Sequence, residues 1–251
     1  QSANELAAQL GAGALEVLSL GSGQGDKDLL LLHAARERGI DVRYVPVDAS
    51  QALLEMACEA GLAAGFPTRG IKADFTRPDH LASLGPGPDT PARLVLLLGN
   101  TLGAFDPLVE ARRLRGLLRA QDRLIVDGEI YAGDQTMAGY DNPLNRRFAW
   151  APLHAVGLGE EDGQIRFEDI QDDRMPGLHP LRKYFVASRP AIARVGGEVL
   201  EFHPGERVEM NHSYKYAADA FLRILGGAKL EVRWQGRAED GRFLMVLAGP
   251  A

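Results

Sequence analysis

From residue 14 to residue 132 the chain alternates short apolar runs with stretches whose apolar residues recur at helical spacing. ALEVLSL (14–20), bounded by glycines, reads as a buried strand, and KDLLLLHAARERG (27–39) as a helix stopped by Gly39. The next strand is VRYVPVD (42–48), followed by the helix SQALLEMACEAG (50–61) and a third strand in TRGIKADF (68–75). ARLVLLLGN (92–100) supplies the fourth strand. In DPLVEARRLRGLLRAQ (106–121), Leu108, Ala111, Leu114, Leu117 and Leu118 form a helical stripe, and DRLIVDGEIYA (122–132) supplies the fifth strand. Continuous apolar strands separated by amphipathic helices predict a parallel sheet covered on both faces.

After residue 132 the rhythm breaks. Residues 133–212 carry one helical piece around NPLNRRFAWAPLHAV and short strand candidates in QIRFEDI, KYFVASR and EVLEFHP. The helix YKYAADAFLRILGG then leads to KLEVRWQGRAEDGRFLMVLAG, two strands about a polar turn. The expectation is an α/β protein with a doubly wound, mostly parallel seven-stranded sheet. Residues 1–132 form its core, 133–212 are an inserted α+β substrate-binding or lid region, and 213–251 return to the core with a last helix and an antiparallel hairpin.

Composition narrows the classes. With 251 residues, 45% of them apolar and 25% charged, the chain can bury a full core. The net charge of −6 argues against a nucleic-acid partner, and Arg112, Arg113 and Arg115 read as the solvated side of one helix. No run of apolar residues is long enough for a membrane span, and the start QSANELAAQLG lacks the basic and apolar regions of a secretory signal, so a cytoplasmic protein is expected. The single cysteine, Cys58, reads as a small buried apolar residue. The six histidines show no metal-binding spacing and no metal is expected.

In a doubly wound sheet, ligands bind beyond the carboxyl ends of the strands. After the first strand stands Gly21-Ser22-Gly23-Gln24-Gly25, a loop whose backbone can approach a ligand closely. Asp48 and Ala49 follow the second strand, where a carboxylate can accept from both hydroxyls of a ribose. Asp74 and Phe75 follow the third, one suited to an exocyclic amine and the other to a purine face. Gly99, Asn100 and Thr101 follow the fourth, and Glu129 the fifth. Asp48 and Asp74 also suit helix caps or turns. A dinucleotide loop needs a small residue where this one has Asp26, whose carboxylate would repel a pyrophosphate. A cationic sulfonium cofactor without phosphate, S-adenosylmethionine, tolerates it. A nicotinamide-dependent oxidoreductase remains the alternative on the same fold.

Together LSLGSGQGDKD, YVPVDAS, ADF, LLLGNTLGAF and MNHSYKY resemble the histidine-specific methyltransferase family, class I Rossmann-like enzymes dependent on S-adenosylmethionine, with an inserted substrate domain. The resemblance covers the chain from residue 14 onward. It implies N-methylation of a small-molecule amine or amino acid, with the cofactor held by Gly21, Ser22, Gly23, Gly25, Asp48, Ala49, Asp74, Phe75, Gly99, Asn100 and Thr101. Where the family holds its amino acid with an asparagine after strand four, this chain has Ala104. Where the family's Glu-x-Ser-x-Lys-Phe segment reads imidazole with its glutamate, the chain has Asn211, followed by Ser213. These departures predict an acceptor other than histidine, and leave a non-catalytic cofactor-binding module as a second alternative. Tyr140, Asp141, Asn145 and Arg146 are further candidates for touching the acceptor. Glu129 is the candidate catalytic group, placed to hold a cationic amine. Methyl transfer requires orientation and a path for one proton, with no nucleophilic side chain.

Overall fold

The computed structural model describes residues 2–11, 13–87 and 90–251. In chain order it contains α1 (Ser2–Ala7), β1 (Ala14–Leu20), α2 (Asp26–Glu37), β2 (Asp41–Asp48), α3 (Gln51–Ala63), β3 (Ile71–Lys72), α4 (Pro78–Ser83) and β4 (Ala92–Leu97). A 3-10 turn, Thr101–Ala104, precedes α5 (Pro107–Gly116) and β5 (Arg123–Glu129). There follow α6 (Asp134–Tyr140), α7 (Pro143–Ala155), β6 (Gly163–Asp169), β7 (Leu178–Ala187), β8 (Ala191–Val195), β9 (Glu198–Phe202) and β10 (Arg207–Tyr216). The chain closes with α8 (Ala218–Gly227), β11 (Leu230–Arg237) and β12 (Phe243–Pro250). It divides into a core unit, Gln1–Ile130 with Ala218–Ala251, and an inserted unit, Tyr131–Ala217.

The core unit is built on a seven-stranded sheet in the order β11-β12-β5-β4-β1-β2-β3. All neighbours from β5 to β3 pair in parallel, while β12 runs antiparallel to both β5 and β11. Because β1 pairs with both β2 and β4, the chain reverses its winding between β1 and β4, where such sheets open a crevice at their carboxyl ends. Val17, Leu32, Tyr44, Leu94, Leu96 and Ile125 form the centre of its apolar core. At the opposite end of β1 and β4, paired residues Glu16 and Arg93 form an ion pair at 2.5 Å, with Arg93 only 5% exposed.

Two helices begin where cap and proline coincide. Asp106 accepts from the Leu108 and Val109 N–H groups ahead of α5, and Asn142 accepts from the Asn145 N–H ahead of α7; Pro107 and Pro143 stand at the first helical position, where no N–H is needed. Three expected elements differ. The third strand is laddered at Ile71–Lys72 and joined to β2 by one further parallel bridge, Thr68 with Tyr44; Gly70 between them lies so tightly on α3 that a Cβ there would stand 2.5 Å from Cys58 Sγ. The helix expected to reach residue 121 ends at Gly116. The helix expected from residue 214 begins at Ala218, since Tyr214 and Tyr216 are buried and pair with Pro180 and Leu178 as the end of β10.

The inserted unit holds a three-stranded antiparallel sheet, β10-β7-β6, and the two-stranded β8-β9. Helix α7 buries Ala149, Trp150 and Leu153 against Ile165, Phe185 and Ala187. Trp150 and Phe202 both meet Phe185 edge to face.

Candidate functional site

The glycine loop ties itself to the end of β2. The Gly21 and Ser22 N–H groups both donate to the Val47 carbonyl at 2.8 and 3.1 Å, and the Gly25 N–H donates to the Ser22 carbonyl at 3.0 Å. Asp48 completes the frame: its Oδ2 accepts the Gly23 N–H at 3.0 Å and its Oδ1 the Ser50 N–H at 2.8 Å. Four loop donors are thereby used internally, so this loop does not present the row of free N–H groups that cradles a pyrophosphate. Each carboxylate oxygen of Asp48 keeps a second lone-pair direction. Ser22 Oγ is buried with no hydrogen-bond partner among the described residues.

Gly25 stands at the N-cap of α2, in the left-handed region at φ 84°, where a Cβ would come 3.1 Å from the Tyr44 hydroxyl. That hydroxyl, fully buried beneath the loop, donates to Asp28 at 2.6 Å. Burial pushes the Asp28 carboxyl up to about 6, against the opposing hydrogen bonds from Tyr44 and Ser19 and the charge of Lys27. Asp26, Lys27 and Asp28 line the same cavity as Ser19, Gly23 and Leu98. The exposed Asp26 and the buried Asp28 give this cavity two carboxyl groups against the one ammonium of Lys27, a balance that favours cationic over phosphate-bearing occupants.

The loops after β3 and β4 close on this point. A Cβ on Gly21 would stand 3.5 Å from the Phe75 ring and 3.7 Å from Thr101, and one on Gly99 would stand 3.1 Å from Lys27 Nζ. Phe75 is buried and meets Phe105 edge to face. Asp74 folds into a local turn in which Oδ1 accepts from the Thr76 N–H and hydroxyl; these hydrogen bonds hold its carboxyl below the usual carboxylate range. Its Oδ2 has no partner among the described residues. Ala49 is exposed beside Asp48.

Asn100 takes a framework position. It sits in the left-handed region at φ 57°, its N–H donates to Asp127 at 2.6 Å, and its Oδ1 accepts the Glu129 N–H at 3.0 Å. Asp127 also accepts the Gly99 N–H at 2.9 Å, so one buried carboxylate shapes the whole turn after β4. Glu129, expected to hold a cationic amine, is buried and accepts from Arg242 at 3.1 Å. Arg242 is thus one partner of this carboxylate. Ala104 ends the 3-10 turn with its methyl group exposed.

In the inserted unit, Tyr140, Asn145, Asn211 and Ser213 line one cavity, together with Phe148, Phe167, Leu181 and Lys183. Strand register explains the convergence. Lys183 pairs with Asn211 on one side and Phe167 on the other, and Leu181 pairs with Ser213 one row along the same face. Lys215, fully buried on β10, donates to Ser213 Oγ at 2.8 Å and lies 4.6 Å above the Tyr140 ring. Asn145 Nδ2 donates to the Tyr140 carbonyl at 3.0 Å, which fixes the rim. Asp141 and Arg146 do not line this cavity. Their side chains pair with each other at 2.6 Å, and Arg146 also donates to the Ile165 carbonyl. Their spacing let them turn toward each other.

Lys183, Phe148, Phe167 and Leu181 were not among the expected site residues. The signal for Lys183 lies in the alternation of β7, where Leu181, Phe185 and Ala187 are buried on the face that Lys183 shares. A lysine in that series breaks the apolar pattern. Among the described residues no group of histidine, cysteine and carboxylate side chains is arranged to hold a metal ion, and no helix is long and apolar enough to cross a membrane.

A family model described as histidine-specific methyltransferase, SAM-dependent, matches residues 1–250. N-methyltransferase fsqC of Aspergillus fumigatus is 26% identical over 209 residues, covering 80% of this chain and 57% of that protein. A histidine N-alpha-methyltransferase of Mycolicibacterium smegmatis is 34% identical over 122 residues, covering 47% of this chain and 37% of that protein. The chain thus spans little more than half of one relative and just over a third of the other. Among solved structures, an S-adenosylmethionine-dependent methyltransferase from Clostridium acetobutylicum aligns with a TM-score of 0.48 at 13% identity, over 96% of this chain and 85% of that one.

Proposed function

Because the chain belongs to the family of histidine-specific, S-adenosylmethionine-dependent methyltransferases, we propose that it methylates the nitrogen of a small amine or amino acid other than histidine. The cofactor supplies an electrophilic methyl on a sulfonium: the amine lone pair forms the new N–C bond as the S–C bond breaks, and the amine gives up one proton. The chain's own residues bind, orient and exclude water around that exchange.

The observation that carries the reading is the way the Gly21–Gly25 loop is held. Its first donors are consumed by Val47, Ser22 and Asp48, Asp26 and Asp28 line its cavity, and the buried Ser22 hydroxyl lacks a partner among the described residues. This arrangement fits a cofactor with a cationic centre and no phosphate, and disfavours a dinucleotide. Asp48 would accept from the ribose hydroxyls, Asp74 Oδ2 from the adenine amine, and Phe75 would flank the base beside Gly21 and Thr101. Gly99 and Asn100 would shape the wall through Asp127. The cavity of Tyr140, Asn145, Asn211 and Ser213 would receive the acceptor. Ala104 offers no hydrogen bond to an amino-acid end, and Asn211 brings no negative charge to an imidazolium, which supports an acceptor other than histidine. Relatives named as fungal N-methyltransferases support nitrogen as the methylated atom.

The test is incubation with S-adenosylmethionine and a pool of small amines, read as mass gains of one methyl unit. Tight cofactor binding with no mass gain from a broad pool would overturn the proposal in favour of a cofactor-binding module.

A further inference from the structure

Lys183 stands out within the inserted unit. It lies on the β7 face that buries Leu181, Phe185 and Ala187, in the row Phe167–Lys183–Asn211 across the sheet. Its ammonium sits 5.6 Å from the Phe167 ring centre, and no carboxylate among the described residues pairs with it. Burial pulls its pKa below the usual lysine value. Lys183 is half-buried, and a partly desolvated cation without a counter-charge is costly, so folded proteins normally pair it.

The carboxylates that could serve are committed elsewhere. Asp169, one row along the same face, accepts from the Tyr131 hydroxyl and pairs with His179 at 3.4 Å. Asp141 pairs with Arg146. On the opposite face, Glu209 pairs with Arg182 and His212, and Glu168 with Arg207. Each of these acids has a basic partner, while the cavity face carries Lys183 and Lys215 with no carboxylate among the residues that line the cavity.

We propose that the acceptor amine carries a negatively charged group, in the simplest case a carboxylate, and that this group binds the Lys183 ammonium, with the Asn211 carboxamide beside it as a second donor. The inference rests on the reading of this cavity as the acceptor pocket. An ammonium provides up to three donors, and a charge-assisted hydrogen bond formed away from water discriminates strongly against an acceptor that lacks its partner. Phe167 and Phe148 would flank the aliphatic or aromatic part of such a molecule.

The experiment uses matched amines that differ in one carboxylate: L-histidine against histamine, L-tyrosine against tyramine, and L-glutamate against L-glutamine. Each is assayed with saturating S-adenosylmethionine through release of S-adenosylhomocysteine. The carboxylated member of at least one pair should be favoured about 10- to 100-fold in kcat/KM, the range one charge-assisted hydrogen bond spans. Lys183→Met should bring that ratio close to one, mainly through KM. Lys183→Arg should retain most of it, and cofactor affinity should be unchanged in both. Equal use of both members of every methylated pair by the unaltered protein, or a full preference in folded Lys183→Met, would overturn the inference while leaving the methyltransferase reading intact. If no amine is methylated although the cofactor binds, that reading fails and the inference with it. Should Lys183→Met not fold, the unaltered protein's preference and a Lys183→Gln variant decide.

Discussion

Replacing Asp48 with alanine tests the cofactor assignment at its most connected residue. The carboxylate accepts the Gly23 N–H at 3.0 Å and the Ser50 N–H at 2.8 Å, so it braces both the glycine loop and the start of α3. In the proposed complex its remaining lone pairs accept from the two ribose hydroxyls. Each charge-assisted hydrogen bond contributes about 1.5–3 kcal/mol, and water replaces part of what is lost. The net loss in Asp48→Ala should be about 2–4 kcal/mol, a rise in Kd of roughly 30- to 700-fold. Asp48→Asn separates bracing from charge: its single carbonyl oxygen can accept only part of the same set, and its amide would oppose an N–H donor. Calorimetric titration with S-adenosylmethionine gives the affinities, and thermal unfolding confirms the fold. A cofactor analogue without the 2′ and 3′ hydroxyls should bind the original and Asp48→Ala with closely similar affinity. Wild-type affinity for S-adenosylmethionine in folded Asp48→Ala would refute the ribose assignment. An equal loss with the dideoxy analogue would show that the residue acts through the loop alone.

Three further outcomes are expected. Asp28 titrates at about 6 in the folded protein against 3.8 ordinarily, so the folded state holds this proton more tightly; stability from this group is full below about pH 4 and is lost as pH rises through about 6. Asp28→Asn should flatten that window and raise stability near pH 8 by at most about 3 kcal/mol, measured by urea unfolding across pH. Arg93→Met should destabilise by about 3 kcal/mol or more, because it leaves Glu16 without its partner and the Leu84 carbonyl without its donor, and Arg93→Met with Glu16→Leu should recover much of that loss in denaturant melts. Ala104→Asn combined with Asn211→Glu should raise methylation of L-histidine at least about tenfold, since one regained polar contact is worth about 1–3 kcal/mol. Efficient histidine methylation by the unaltered protein would contradict this.

The alternation of apolar runs and helical stripes was sufficient to order the core, because strand and helix periodicity is local and burial of these runs leaves few alternatives. For the same reason the proposed cofactor loop was legible: Gly21–Gly25 is contiguous, and Asp48, Asp74 and Asn100 each stand at or just after a strand end. Their partners were less so. Asp48 reaches back to Gly23, and Asn100 forward to Glu129 across 29 residues. The inserted unit shows the limit more sharply. Asn211 and Ser213 were named from their resemblance to a family pattern and Tyr140 and Asn145 as candidates in the inserted region, but Lys183 enters beside them only through the pairing of β7 with β10 and β6. Glu129 stands at a strand end, and nothing in the sequence signals that Arg242, 113 residues away, pairs with it. Asp141 and Arg146, close in sequence, are spent on each other. A charged side chain is known by its type from the sequence, but whether it is already paired depends on which distant strands and loops the fold lays against it, and that decides its chemistry.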